Sequence, residues 1–255
     1  MNPIDHTVLF LVSLLANTFS AFSGGGAGLI QFPILIFLGL TFSMALATHK
    51  VASVALGLGA VIRYLSSSNL ERRFVLLVLV TGLPGVILGS RLVLFIPDNI
   101  AIFSLGILTG SLGIYSIFKS DLGQNFQAKN RNISGYILGG VTLFLLGVLN
   151  GSLTSGTGLF VTLWLVVWFG MDYQRAVAYT LILVGLFWNG AGAITLGLLT
   201  SIRWDWLPAL LLGSLLGGYL GSHLAIKHGN KLIKRSFELV TILISIKLIW
   251  TSVSA

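Results

Sequence analysis

The sequence contains no cysteine, which excludes disulfides, iron–sulfur clusters and thiolate metal sites and leaves the compartment open. It is nearly as poor in charge. Only 9% of its 255 residues are Asp, Glu, Lys or Arg, against about 25% in ordinary soluble domains, so a soluble enzyme is excluded. Acids are scarcest of all: Asp5, Glu71, Asp98, Asp121, Asp172, Asp205 and Glu238 complete the set. Of these only Glu238 falls inside an apolar run, and there it lies one turn beyond Lys234, a spacing that pairs the two on a helix. A carboxylate proton relay at mid-membrane depth is therefore absent. The formal charge of +8 does not point to nucleic acid, because the basic residues fall in short loops and no hydrophilic region could hold a duplex. The four histidines are scattered and form no His–Glu cluster, so no metal and no other cofactor is expected.

What the chain does have is apolar sequence. It is 55% hydrophobic, with a mean hydropathy of +0.97. Apolar runs cover 8–22, 28–40, 43–64, 74–96, 100–118, 133–150, 158–170, 174–200, 206–226 and 232–252. A membrane-spanning helix needs about 20 such residues, and barrel strands would alternate over about ten. The expected fold class is all-α, a polytopic integral membrane protein of the cell membrane. The first run has only Asp5 and His6 ahead of it and no basic residue, so it reads as part of the mature fold rather than as a signal peptide.

Lys and Arg set the orientation. If loop 65–73 is cytoplasmic and every run changes side, eleven of the fifteen basic residues lie inside, and only Lys50, Arg91, Arg203 and Lys247 lie outside. Both termini then face outward.

The chain repeats itself at a spacing of roughly 130 residues, as duplicated membrane proteins do. Gly26-Ala27-Gly28-Leu29 returns as Gly156-Thr157-Gly158-Leu159, Ala45-Leu46-Ala47-Thr48 as Ala176-Val177-Ala178-Tyr179-Thr180, and Gly89-Ser90-Arg91-Leu92 as Gly221-Ser222-His223-Leu224. This divides the chain into a first transmembrane repeat (1–118), a cytoplasmic linker (119–132) and a second repeat (133–255). Each repeat holds five runs, an odd number, so the second copy is expected upside down relative to the first, with Gly-broken short helices or re-entrant hairpins in each.

The first two runs of each repeat are too short to cross about 30 Å of hydrocarbon. Between them stand Ser23-Gly24-Gly25-Gly26-Ala27-Gly28 and Asn150-Gly151-Ser152-Leu153-Thr154-Ser155-Gly156-Thr157-Gly158. Each glycine costs a helix about 1 kcal/mol relative to alanine, so the chain is expected to unwind there. Unwound backbone at membrane depth persists only where it is buried in protein or lines a wet cavity. A helix restarting after the break offers free N–H groups and the positive end of its dipole, which together form an anion site. Candidate ligand-binding residues are Ser23, Gly24, Gly25, Gly26, Asn150, Ser152, Ser155, Gly156 and Thr157. The alternative is that the glycines only allow close helix packing and the hydroxyls bond back to helix carbonyls. His49 and Lys50 join the candidates: a buried ammonium beside an anion site is its electrostatic partner, whereas a Lys near a segment end can also snorkel to the outer surface.

With Gly24-Gly25-Gly26-Ala27-Gly28-Leu29-Ile30-Gln31-Phe32-Pro33, then Gly39, then Ala45-Leu46-Ala47-Thr48-His49-Lys50, the chain resembles the sulfite exporter TauE/SafE family, also called the 4-toluene sulfonate uptake permease family. Gly147-Val148-Leu149-Asn150-Gly151, Gly156-Thr157-Gly158 and Ala178-Tyr179-Thr180 look like that family's second repeat. The resemblance implies a secondary transporter for small sulfur-containing anions, sulfite or an organosulfonate such as sulfoacetate. It adds Gln31, Thr48, Thr180 and Asn189 to the site. Asn150 stands where many members carry an acid.

The anion is then expected between the repeats near the midplane, reached by alternating access. The other expected partners are the lipid bilayer and a coupled proton or other ion, with His49 the best titrating group near neutral pH. Pairing into a homodimer is left open. A passive anion channel is the alternative, since helix-end anion sites serve channels too. An intramembrane enzyme is weaker, because Ser155 with His49 or His223 is its only conceivable nucleophile and base, and no local motif supports the pair.

Overall fold

In a computed structural model of the chain, the described residues are 3–64, 70–92, 98–153 and 156–253. They are helical, and no strand occurs among them. The first half runs α1 (Pro3–Ser23), α2 (Ala27–Phe37), α3 (Phe42–Tyr64), α4 (Arg72–Leu92) and α5 (Asp98–Phe118). The second runs α6 (Ile133–Leu153), α7 (Thr157–Phe169), α8 (Tyr173–Tyr179), a π-helical stretch (Thr180–Trp188), α9 (Asn189–Gly197), a 3₁₀ turn (Trp204–Trp206) and α10 (Leu207–Val253). Six stretches among the described residues are long and apolar enough to cross a membrane. The 47 residues of α10 would rise about 70 Å as one rod, more than twice a bilayer core. Gly229, at φ 72° and ψ −176°, bends it into two helices.

Helix length departs from the sequence reading. The runs flanking the breaks looked too short, yet α1 and α6 each have 21 residues, about 31 Å of rise. Helix geometry extends them past the apolar runs, over residues 3–7 and 23 in α1 and over 151–153 in α6. Of the four helices that flank the breaks, α2 and α7, with 11 and 13 residues, remain too short to span.

Packing runs through glycine. Gly213, Gly217 and Gly221 of α10 lie against the backbone of α1 at Phe10, Leu14 and Thr18. Gly85 and Gly89 of α4 interlock with Gly147 and Gly151 of α6. Gly106, Gly110 and Gly113 seat α5 on α10 at Ile249, Ser245 and Thr241. Without a hydrophobic force between helices in lipid, such close approach supplies the dispersion energy that holds them. At the centre, α3 crosses the π-helical stretch where Gly57 meets Gly185.

The basic-rich segments gather at one end. Arg131 of the linker pairs with Glu71 at 2.8 Å and lies over the Phe74 ring. Gln127 and Lys129 donate backbone bonds to Gly170 and Phe169, and Asn230 bridges the Gln124 carbonyl and the Gln174 amide. The linker is thus pinned to the bundle. Nearby, Lys234 and Glu238 form the ion pair that their spacing predicts.

Candidate functional site

Three glycines in a row free the chain from helix geometry: Gly24, Gly25 and Gly26 have φ of 89°, 143° and 100°. The first break has carbonyls to satisfy, and hydroxyls meet them. Ser23 Oγ donates to Phe19 O and lies 3.1 Å from Gly25 O, while Thr162 Oγ1 of α7 reaches across to Gly24 O at 2.7 Å. Donors are treated differently. Gly26 and Gly156 cap α2 and α7 in the left-handed conformation, and neither has a side chain with which to cap its helix. The amides that open a helix have no acceptor within it, and Leu159 N, one of those of α7, donates to Gly156 O at 2.9 Å. The breaks also touch one another: a Cβ on Gly25 would lie 2.6 Å from Leu159 N and 2.7 Å from Gly158 C.

Around this contact is a cavity of about 40 Å³, enough for a few waters or one compact ion. The first break supplies Gly25 and Gly26 with Ala27 and Gly28, the second Thr157 and Gly158. His49 and Ser53 come from α3, Asn150 from α6, and Thr180 and Asn189 from the opposite wall. Among the described residues no carboxylate lines it.

Lys50 is wholly buried, at 0% exposure. Its ammonium donates to Asn150 O at 2.8 Å, Asn150 Oδ1 at 3.1 Å and Asn189 Oδ1 at 3.4 Å. Snorkelling to the surface is therefore overturned. The lysine reaches the break of the second half, one hundred residues away, and not that of its own half. By taking both amide oxygens it turns their nitrogens elsewhere, and Asn150 Nδ2 donates to Thr157 Oγ1 at 2.9 Å.

His49 anchors a second buried chain. Ser13 Oγ donates to the Leu210 carbonyl at 2.7 Å, which can only accept, and this fixes the direction of every bond before it. Gln31 Nε2 donates to Ser13 Oγ at 2.9 Å, His49 Nδ1 to Gln31 Oε1 at 2.6 Å, and Ser53 Oγ to His49 Nε2 at 3.2 Å. Gln31→Leu would strand the imidazole N–H and remove a donor from Ser13. We expect it to cost about 1–3 kcal/mol, visible as a lower melting temperature in detergent, and an unchanged melting point would refute the chain.

The structure thus brings together Gly25, Gly26, His49, Asn150, Thr157, Thr180 and Asn189, with Lys50 directly behind Asn150 and Asn189. Several expected contacts are not made. Ser152 bonds back to the Val148 carbonyl as Ser23 does to Phe19, since a hydroxyl in the last turn of a helix finds the carbonyl four residues earlier first. Thr48 accepts from the Arg203 amide at 3.0 Å, just before the 3₁₀ turn, Gln31 is used up by His49, and Gly24 and Gly156 shape the backbone beside the cavity. Ser155 lies outside the described residues, as does Thr154. The sequence reading missed Ser20, Ser53, Thr162 and Gly185, which carry no motif of their own. It also missed the π-helical stretch (Thr180–Trp188) that presents Leu181 and Val184 to the cavity. Such wide turns recur at functional sites.

Residues 9–248 match the family described as sulfite exporter TauE/SafE. The chain belongs to this family. It is 28% identical over 246 residues to a probable membrane transporter protein of Haemophilus influenzae, covering 95% of this chain and 94% of that protein. It is 26% identical to the probable membrane transporter protein YfcA of Escherichia coli, covering 99% and 92%. With the probable membrane transporter protein YunE of Bacillus subtilis it shares 22% identity, covering 98% and 99%. No solved structure matches. As a TauE/SafE protein with six stretches among the described residues able to cross a bilayer, the chain is a multi-pass membrane transporter and not an enzyme.

Proposed function

We infer that the protein is a secondary transporter of a small sulfur-containing anion, bound at the contact of the two breaks. The observation that carries this reading is the sign of the cavity wall: the residues that open α2 and α7 and several hydroxyl side chains line it, an ammonium is held by Asn150 beside it, and among the described residues no carboxylate lines it. Uncapped helix N-termini and a buried cation both favour negative charge in a low-dielectric site. The sulfur class comes from the family's description. Among such anions the cavity size favours compact oxyanions, sulfite or thiosulfate, over sulfoacetate or taurine. A carrier suits the contact between the breaks better than an open pore does.

The two halves are read as inverted copies, and packing supports this reading. Helix α1 packs on the first part of α10 as α6 packs on α4, and α5 meets the second part of α10, each pairing returning when the halves are exchanged. Residues 1–118 and 133–255 are then the rocking units, and 119–132 the strap between them.

Thermal stability of the detergent-solubilised protein should rise with sulfite or thiosulfate, less with sulfoacetate, and not with chloride at equal ionic strength. If chloride stabilised as well as sulfite, the site reading would be lost. Orientation is checked separately. The basic-rich end is assigned to the cytoplasm by the positive-inside rule, so a single cysteine at Asn125 should resist an impermeant maleimide in intact cells and react after permeabilisation. Labelling from outside would invert the topology.

A further inference from the structure

The partners of Lys50 are unusual for a buried cation. Among the described residues its ammonium has no carboxylate partner. It is held by three neutral oxygens, the Asn150 carbonyl and the side-chain oxygens of Asn150 and Asn189, at 2.8, 3.1 and 3.4 Å. The Asn150 carbonyl belongs to the last turn of α6, at the negative end of its dipole. Neutral carbonyl oxygens converging on one buried point at the end of a broken helix are the ligand set by which membrane proteins hold bare alkali cations. An ion pair would need a counter-charge, and none is supplied here.

The geometry points to an alkali-cation cage that is filled from within, the Lys50 ammonium being its resident ion. Gly192 packs against the lysine, a Cβ there sitting 2.7 Å from Lys50 Cδ and 3.1 Å from Nζ, and the three oxygens are already taken by the ammonium, so ammonium and free cation compete for the same ligands. The charge that a sodium-coupled carrier borrows from solution is here tethered to α3. Taken with the anion reading, on which this consequence rests, the wild-type cycle needs no Na⁺ or K⁺ to neutralise its substrate.

The test removes the tethered ion and offers free ones. Lys50→Ala and wild type are melted in NaCl, KCl and N-methylglucamine chloride at equal ionic strength, with no sulfur anion present. Wild type is expected to melt at one temperature in all three. Lys50→Ala should show a saturable rise in at least one alkali salt, as a ligand bound only to the folded state produces, and Asn189→Leu added to it should abolish that rise. Indifference of Lys50→Ala to all three salts would overturn the cage, and so would an equal response in wild type. Failure to recover folded Lys50→Ala even in alkali salt counts against it as well, since the cage predicts rescue. Because no substrate anion enters the measurement, its failure leaves the anion reading standing, and loss of anion binding elsewhere would leave the cage standing.

Discussion

Gly25→Ala should lose anion-dependent stabilisation and much of its folded yield, although it adds a single methyl group. At φ 143° an L-residue is strained by about 1–3 kcal/mol. The methyl would also point into the backbone of the opposite break, 2.6 Å from Leu159 N, where no side chain can rotate aside. Overpacking of that kind costs about 1–3 kcal/mol more, in a fold whose total stability is about 5–15 kcal/mol. Gly39→Ala is the matched control: its φ is 96° and nothing lies within 4 Å of its would-be Cβ, so it bears backbone strain alone. Melting temperatures and sulfite shifts of the two variants, compared side by side, measure the contact between the breaks. Equal behaviour would mean that the breaks do not meet.

Lys50→Met should weaken sulfite or thiosulfate binding by about ten- to a hundredfold. Hydrogen bonds to a charged group contribute about 1.5–3 kcal/mol, and each 1.4 kcal/mol is tenfold in affinity. Methionine keeps most of the apolar stem against Gly192 but no longer holds Asn150 Oδ1 and Asn189 Oδ1, so both amides are free to turn their acceptors toward the anion. Asn150→Asp approaches the same point from the other side. It leaves the lysine in place and cancels its charge with a carboxylate on the cavity wall, and should weaken binding at least as much. Low ionic strength keeps screening from masking the difference. Wild-type affinity in both variants would remove Lys50 from the site.

What could be read from the sequence was whatever is written locally. Consecutive glycines announce a broken helix because backbone entropy acts on each residue in turn, and the breaks at Gly24–Gly26 and Gly156 fall where that argument places them. Run lengths yielded the helix count, but not the ends of α1 and α6, which hydrogen bonding extends past the apolar runs. The lining of the cavity was legible in its breaks and in Asn150, Thr157 and His49. It was not legible in its wiring. That Lys50 reaches Asn150 depends on how α3 and α6 come together in three dimensions, and no periodicity encodes it. Ser23 and Ser152 looked like ligand donors by type, yet a local carbonyl reaches them first. Thr162 looked like ordinary apolar-helix sequence, and its role exists only because Gly24 O lies opposite.

The backbone contact between Gly25 and Gly158 also bears on inhibition. A gate made of side chains can yield by rotamer change and admit cargo of many sizes, but two abutting main chains can only part or close. An anion that enters from one face and is too bulky to let the glycines rejoin would hold the halves apart like a wedge, arresting turnover without being carried. Discrimination by size would then be drawn between substrate and blocker, and a graded series of sulfonates, from methyl upward, would reveal the length at which cargo becomes a plug.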